Sequence, residues 1–152
     1  YLNLLASAQL VVPLPKYSGE WIRQRASSPK LLVLNNALIN ASLSRVFNET
    51  IQDRGLWGRL VENAVGAHLY NQGLGTGMEL FYWREGTDEV DYVFQKGKRL
   101  AAIEVKSGRQ REAASGLSEF QKRYSPYRIF VVGTSGIPLE EFLCQDPLRL
   151  FQ

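Results

Sequence analysis

The stretch EVDYVFQKGKRLAAIEVK, residues 89–106, decides the fold. Two runs of alternating, β-branched and aromatic residues flank Lys96-Gly97-Lys98, and runs of that kind joined by a glycine-bearing turn read as a β-hairpin. If Gly97-Lys98 is a two-residue turn with Gly at its first central position, Lys96 pairs with Arg99 and the register follows by arithmetic. Phe94 then meets Ala101, Tyr92 meets Ile103, Asp91 meets Glu104, Val90 meets Val105 and Glu89 meets Lys106. One face collects Val90, Tyr92, Phe94, Ala101, Ile103 and Val105 and belongs in a core. The other carries Asp91, Glu104 and Lys106, with opposed Cβ atoms about 5 Å apart.

Upstream of the hairpin, residues 78–84 read as a further strand. Before it lies the longest helical pattern, RGLWGRLVENAVGAHLYNQG, with Leu56, Leu60, Ala64, Ala67 and Tyr70 at three- and four-residue steps and a stop signal at Asn71 and Gly73. Glu62 lies inside that helix, off the stripe and on the flank of Val65 and Leu69. Earlier still, YLNLLASAQLVV begins helical and turns extended at Val11-Val12, and Pro13 and Pro15 favour an edge strand. Residues 16–30 read as a loop or irregular hairpin, 31–34 as a short strand, and NNALINASL as a brief helix. Downstream, residues 115–124 form a helix, 127–133 a buried strand and 139–143 a short helix. A strand, a helix and a second strand make a crossover, so part of the sheet is expected to be parallel.

The chain has 152 residues, a length for one compact core. Residues 1–45 read as a small N-terminal linking segment and 46–152 as the main domain, in an α/β class with a mixed sheet flanked by helices. A formal charge of +3 tilts weakly toward anionic partners. Cys144 is the sole cysteine, which excludes an intrachain disulfide and a thiolate cluster and fits a reducing cytoplasm. No apolar run approaches the roughly 20 residues needed to span a bilayer, and the opening residues lack the features of a signal peptide. A start at Tyr1 within what reads as a helix is expected of a piece of a longer polypeptide.

Two carboxylates held side by side raise one another's pKa unless a cation intervenes. Asp91 against Glu104 therefore calls for a bound hard cation, a shared proton or a compensating ammonium such as Lys106. Mg²⁺ is the natural ion, since it takes one or two protein carboxylates with water and substrate phosphate. On a strand, Lys106 projects from the same face as Glu104 and can orient a water or offset phosphate charge. Alone, such a pair reads more readily as a surface salt-bridge ladder.

EVDYV, then IEVK, with VENAV on an upstream helix, resemble the PD-(D/E)XK, or restriction-endonuclease-like, nuclease superfamily. The resemblance implies that Glu62, Asp91 and Glu104 bind Mg²⁺, or Mn²⁺ in its place, and that Lys106 is catalytic. It further implies hydrolysis of phosphodiester bonds and a nucleic-acid partner. More particularly, LASAQLVVPLPKYSG, SPKLLVLNNAL, GRLVENAVGAHL, LFYWRE and EVDYVFQKGKRLAAIEVKSG resemble the C-terminal domain of uncharacterised function in bacterial and archaeal AAA-type ATPases. That likeness implies an ATPase core in the same polypeptide. After SPKL the family pattern has Asp and Gly where this chain has Asn35 or Asn36 and Ala37. A fold does not fix function, so a non-catalytic nucleic-acid-binding or protein-interaction module that retains the nuclease fold is the alternative.

Among the remaining candidates, Glu89 reads as a salt-bridge partner of Lys106, Tyr82 and Trp83 as core and rim aromatics, His68 as structural and Cys144 as a small packed residue. Arg109, Arg111, Lys122 and Arg123 could hold phosphates. Residues 73–77, GLGTG, lack the Gly-Lys-Ser/Thr of a phosphate loop and read as a turn.

Overall fold

The structure, a computed structural model, describes residues 1–19, 27–108 and 115–152. Helix α1 (Leu2–Ser7) leads into β1 (Val11–Leu14), which pairs antiparallel with β2 (Lys30–Val33). A two-stranded ladder leaves β1 an open edge, so Pro13 costs it no partner. Helices α2 (Asn36–Leu43), α3 (Phe47–Gln52) and α4 (Arg54–Gly73) follow. The side chain of Asn35 accepts the Ala37 N–H at 2.9 Å and that of Asp53 the Leu56 N–H at 3.0 Å, so α2 and α4 both start on a side-chain cap.

The main sheet has the order β3 (Met78–Glu85), β4 (Asp88–Lys96), β5 (Arg99–Lys106), β6 (Arg128–Gly133). The first three strands are antiparallel in series. Helix α5 (Ser115–Tyr124) then carries the chain over the sheet, and β6 runs parallel to β5, as a crossover requires. Helix α6 (Leu139–Cys144) and a 3-10 turn, Pro147–Phe151, come last. The architecture is a mixed α/β fold, a four-stranded mixed sheet and a two-stranded sheet flanked by helices.

Both hairpins close on two residues. Lys96 pairs with Arg99 and Glu85 with Asp88, and the first turn residues, Gly97 and Gly86, adopt φ of 57° and 59°, where a Cβ would be strained. The register legible in the sequence holds from Lys96–Arg99 up to Tyr92–Ile103.

Beyond that point the sheet departs from simple alternation. Phe81 pairs with Val93 but Trp83 pairs with Val90, so β4 carries one residue more than β3 across the interval. This is a β-bulge at Asp91-Tyr92, and past it the faces exchange. Val90, expected beside Tyr92 and Phe94, instead joins Phe81, Trp83, Val93, Ala102 and Phe120 in the core beneath α5. Tyr92, Phe94, Ala101 and Ile103 keep to the opposite core, with Val65 and Leu69 of α4.

Helix α4 also sits differently from its sequence stripe. Leu60 and Ala67 are buried, but so are Val61, Val65, Gly66, Leu69 and Gly73, while Leu56, Ala64 and Tyr70 are only half-buried. The flank bearing Glu62 is therefore the one turned to the sheet. Tyr92 explains the rotation: its hydroxyl donates to the Glu62 carbonyl at 2.9 Å, passing so close to α4 that a Cβ on Gly66 would lie 2.4 Å from that oxygen. Leu14 and Leu32, from the segment read as a linker, belong to the same core as Val65 and Tyr92.

Candidate functional site

The β4–β5 ladder ends at Tyr92–Ile103, whereas β5 continues its pairing with β6 through Lys106–Gly133. Where β4 parts from β5, the Asp91 carboxylate takes over the missing ladder contact, Oδ2 accepting the Val105 N–H at 2.8 Å. The bulge thus seats Asp91 against the backbone between Glu104 and Lys106. The far side of β5 is secured by Thr134, whose backbone N–H and hydroxyl both donate to the Lys106 carbonyl, at 2.9 and 3.0 Å.

On β5, Lys106 Nζ lies 2.7 Å from Glu104 Oε1, and the Glu104 side chain is only 14 % exposed. Its second oxygen, Oε2, is buried with no hydrogen-bond partner among the described residues. On α4, Glu62 Oε1 makes an ion pair with Lys30 Nζ. Lys30 also lies 3.6 Å from Glu89 Oε1 and 5.2 Å from the Tyr92 ring centroid, and Arg84 meets the other Glu89 oxygen at 3.3 Å.

Burial first, then the Glu62 and Glu104 charges, push the Asp91 carboxyl up from 3.8 to about 7, against the pull of Lys30 and the Val105 N–H. Asp91 is accordingly near half-protonation at neutral pH. Burial by itself would lower the Lys30 ammonium, but Glu62, Asp91 and Glu89 together hold it above its ordinary value. Lys30 stays charged throughout the neutral range. The Tyr92 phenol is raised by burial, then by Glu62 and Asp91, so it stays protonated and able to donate to the Glu62 carbonyl.

Asp91 therefore feels both Glu62 and Glu104, and Lys106 sits on Glu104. Among the described residues no group of three or more His, Cys, Asp and Glu side chains is arranged to hold a metal ion, and the position beside Glu62 is taken by Lys30. Lys30 is the residue that the sequence reading missed. Its signal was phase: it precedes Leu32 by two on β2, so it shares the face of a residue that is 2 % exposed, while Leu31 between them is 55 % exposed. A lysine in step with a buried leucine needs a partner.

Strand β2 is itself clamped to α4. The Val33 N–H donates to Asn63 Oδ1 at 3.0 Å, Asn63 Nδ2 donates to the Val33 carbonyl and to Asn36 Oδ1 at 2.7 Å each, and Asn36 Nδ2 donates to the Leu60 carbonyl at 2.8 Å. Asn36 must donate and accept at once, which a carboxylate in its place could not do.

The other candidates settle into structural roles. Glu89, read as a salt-bridge partner of Lys106, makes its ion pairs with Lys30 and Arg84 instead, because past the bulge β4 no longer pairs with β5. His68 Nε2 lies 3.0 Å from the Gln145 carbonyl, its ring edge-on to Phe142. Tyr82 and Trp83 are both buried. Cys144 is exposed rather than packed, because the short α6 directs Phe142 inward instead. Lys122 lies 3.7 Å from Glu119 and Arg123 pairs with Glu85, while Arg109 and Arg111 lie outside the described residues. No helix among the described residues is long and apolar enough to cross a membrane.

No curated protein and no solved structure matches the chain. A family model does match, over residues 57–144, which is more than half of the chain and includes Glu62, Asp91, Glu104 and Lys106. Its description is Domain of unknown function (DUF4143), and the chain belongs to that family.

Proposed function

We propose that this chain is a Mg²⁺-dependent, nuclease-type domain that hydrolyses phosphodiester bonds in nucleic acid, working as the C-terminal part of a larger AAA-type ATPase. The observation that carries the reading is the bulge at Asp91, which sets one raised carboxyl beside Glu104 and Lys106 at the point where two strands part. The resemblance of EVD, EVK and the helical Glu62 to the PD-(D/E)XK pattern supports it.

The donor set fits a hard divalent cation. Glu104 Oε2 is buried without a partner among the described residues, Asp91 is raised by burial and then by its acidic neighbours, and both offer oxygen, the ligand that Mg²⁺ prefers. Two carboxylates suffice, with water and substrate phosphate completing the shell. Asp91 and Glu104 would hold the ion directly, with Glu62 behind them in its pair with Lys30. When bound, such an ion lowers the pKa of water and offsets charge on phosphate. The Lys106 ammonium, steadied by Glu104, orients the attacking water or neutralises the developing phosphate charge.

The test is cleavage of labelled DNA and RNA with Mg²⁺ or Mn²⁺ by the wild type, Asp91→Ala and Lys106→Ala. Activity in the wild type that both variants lose supports the proposal; equal activity in all three, or none in any, overturns it. One observation favours the non-catalytic alternative, a nucleic-acid-binding or interaction module: Lys30 already gives Glu62 and Glu89 a positive charge of the protein's own. Calorimetry separates the two readings, since a scaffold binds no divalent ion at Asp91.

A further inference from the structure

We infer that Lys30 is a resident cation of the acidic cluster: its ammonium fills the place between Glu62 and Glu89 that a second divalent ion would take, so the site accepts one ion, at Asp91 and Glu104. The inference rests on the metal-dependent reading above and goes beyond it by fixing the ion count and assigning Lys30 a positioning role.

Four acids surround this corner, Glu62 on α4, Glu89 and Asp91 on β4 and Glu104 on β5. Hydrolases with two ions hold them about 3.5–4 Å apart, each neutralising part of such a cluster. Here the positive charges divide otherwise. Lys106 serves Glu104, and Lys30 serves Glu62 and Glu89, close over the Tyr92 ring. Among the described residues, the carboxylate oxygen left buried without a hydrogen-bond partner is Glu104 Oε2, on the strand beside Asp91. Among the described residues, the oxygen left open to a further cation thus lies on the Asp91–Glu104 side of the cluster.

Lys30 does not reach this place by chance flexion of a long side chain. Its backbone is paired with Leu14, and the end of the same strand is clamped to α4 through Asn63, one residue after Glu62. The strand and the acid it neutralises are therefore fixed to one another. A cavity of about 410 Å³, lined by Lys30, Glu62 and Tyr92 among others, opens alongside. Removing the ammonium would leave Glu62, on the wall of that cavity, and Glu89 without the Lys30 charge.

The experiment is titration of the whole chain with Mn²⁺, followed by electron paramagnetic resonance and calorimetry, for the wild type, Lys30→Met, Lys30→Gln and Lys30→Arg. The wild type is expected to bind one Mn²⁺. Lys30→Met, which keeps the apolar stem but loses the charge, is expected to bind a second ion or to bind the first at least tenfold more tightly, and Lys30→Arg to return to wild-type behaviour. Should Lys30→Met fail to fold, Lys30→Gln decides by the same titration. Identical count and affinity in wild type and neutral variants overturn the inference but leave the metal reading standing. No binding in the wild type with one ion in the neutral variants supports the resident cation while overturning native metal dependence. No binding in any protein overturns both.

Discussion

Replacing Asp91 by Asn makes the metal-free chain more stable at pH 8, although it removes the central carboxylate of the site. The folded protein holds the Asp91 proton far more tightly than an unfolded chain does, with a titration displaced from 3.8 to about 7. Because the folded value is the higher one, this group contributes stability that is fully present below pH 3.8 and is lost as pH rises through 7. At about 1.4 kcal/mol per pH unit the displacement amounts to about 4 kcal/mol, a ceiling because solvent still reaches part of the side chain. Asn keeps an oxygen for the Val105 N–H and carries no charge at any of these pH values. Urea denaturation in the presence of a chelator, repeated from pH 4 to pH 8, should therefore show the variant level with the wild type at the acid end. At the alkaline end it should be ahead by about 2–4 kcal/mol. Excess Mg²⁺ should raise the wild type at pH 8 and leave the variant unmoved, since only an ion bound to the folded state stabilises it. Parallel pH curves for the two proteins, or an Asn variant weaker at pH 8, would refute the reasoning.

Three further outcomes follow from the same contacts. Glu104→Gln removes one of the two acids pressing on Asp91, so the Asp91 carboxyl should titrate closer to its ordinary value in carbon-13 NMR; an unchanged midpoint counts against the coupling. Gly66→Ala drives a methyl group into the Tyr92 phenol, and a loss of about 1–3 kcal/mol in urea is expected, which adding Tyr92→Phe should not relieve because ring carbons Cζ and Cε1 lie at 2.5 and 2.6 Å; a neutral substitution would mean that α4 and β4 are further apart than described. Asn63→Ala leaves the Val33 N–H and carbonyl without their partner and should cost about 1–3 kcal/mol, with faster amide exchange at Val33 as the local readout.

Much of this arrangement is local and hence legible without coordinates. The turn at Gly97-Lys98 and the alternation around it yield the register from Lys96 to Tyr92, because a two-residue turn leaves no freedom in the pairing that follows. Helix α4 runs over the very stretch that its periodicity marks. What escaped was non-local. The bulge is a mismatch between β3 and β4, visible only when both strands are laid side by side, and it moves Val90 to the opposite core. The rotation of α4 likewise depends on Tyr92 finding Gly66, a pair that no periodicity within the helix announces. Lys30 stands 32 positions before Glu62, and only its phase with Leu32 hinted that it pointed inward.

The energetics argue that the cluster is there for something other than holding the fold together. A network selected for stability satisfies its charges, because a buried polar oxygen without a partner costs about 1–3 kcal/mol. Lys30 shows that the chain can supply such satisfaction where it is wanted: it brings an ammonium from the N-terminal segment to Glu62 and Glu89 and fixes the strand that carries it. No comparable partner is supplied to Glu104 Oε2 among the described residues, and Asp91 is left to be neutralised by a proton. The unfavourable burial is thus concentrated at two carboxylates on adjoining strands, where the β4–β5 ladder opens. A local departure from good packing electrostatics, surrounded by compensation, is what the proposed metal-dependent reading expects of this corner. The Asp91→Asn comparison with and without Mg²⁺ tests that reading directly, because under it the same carboxylate should weaken the empty protein and strengthen the loaded one.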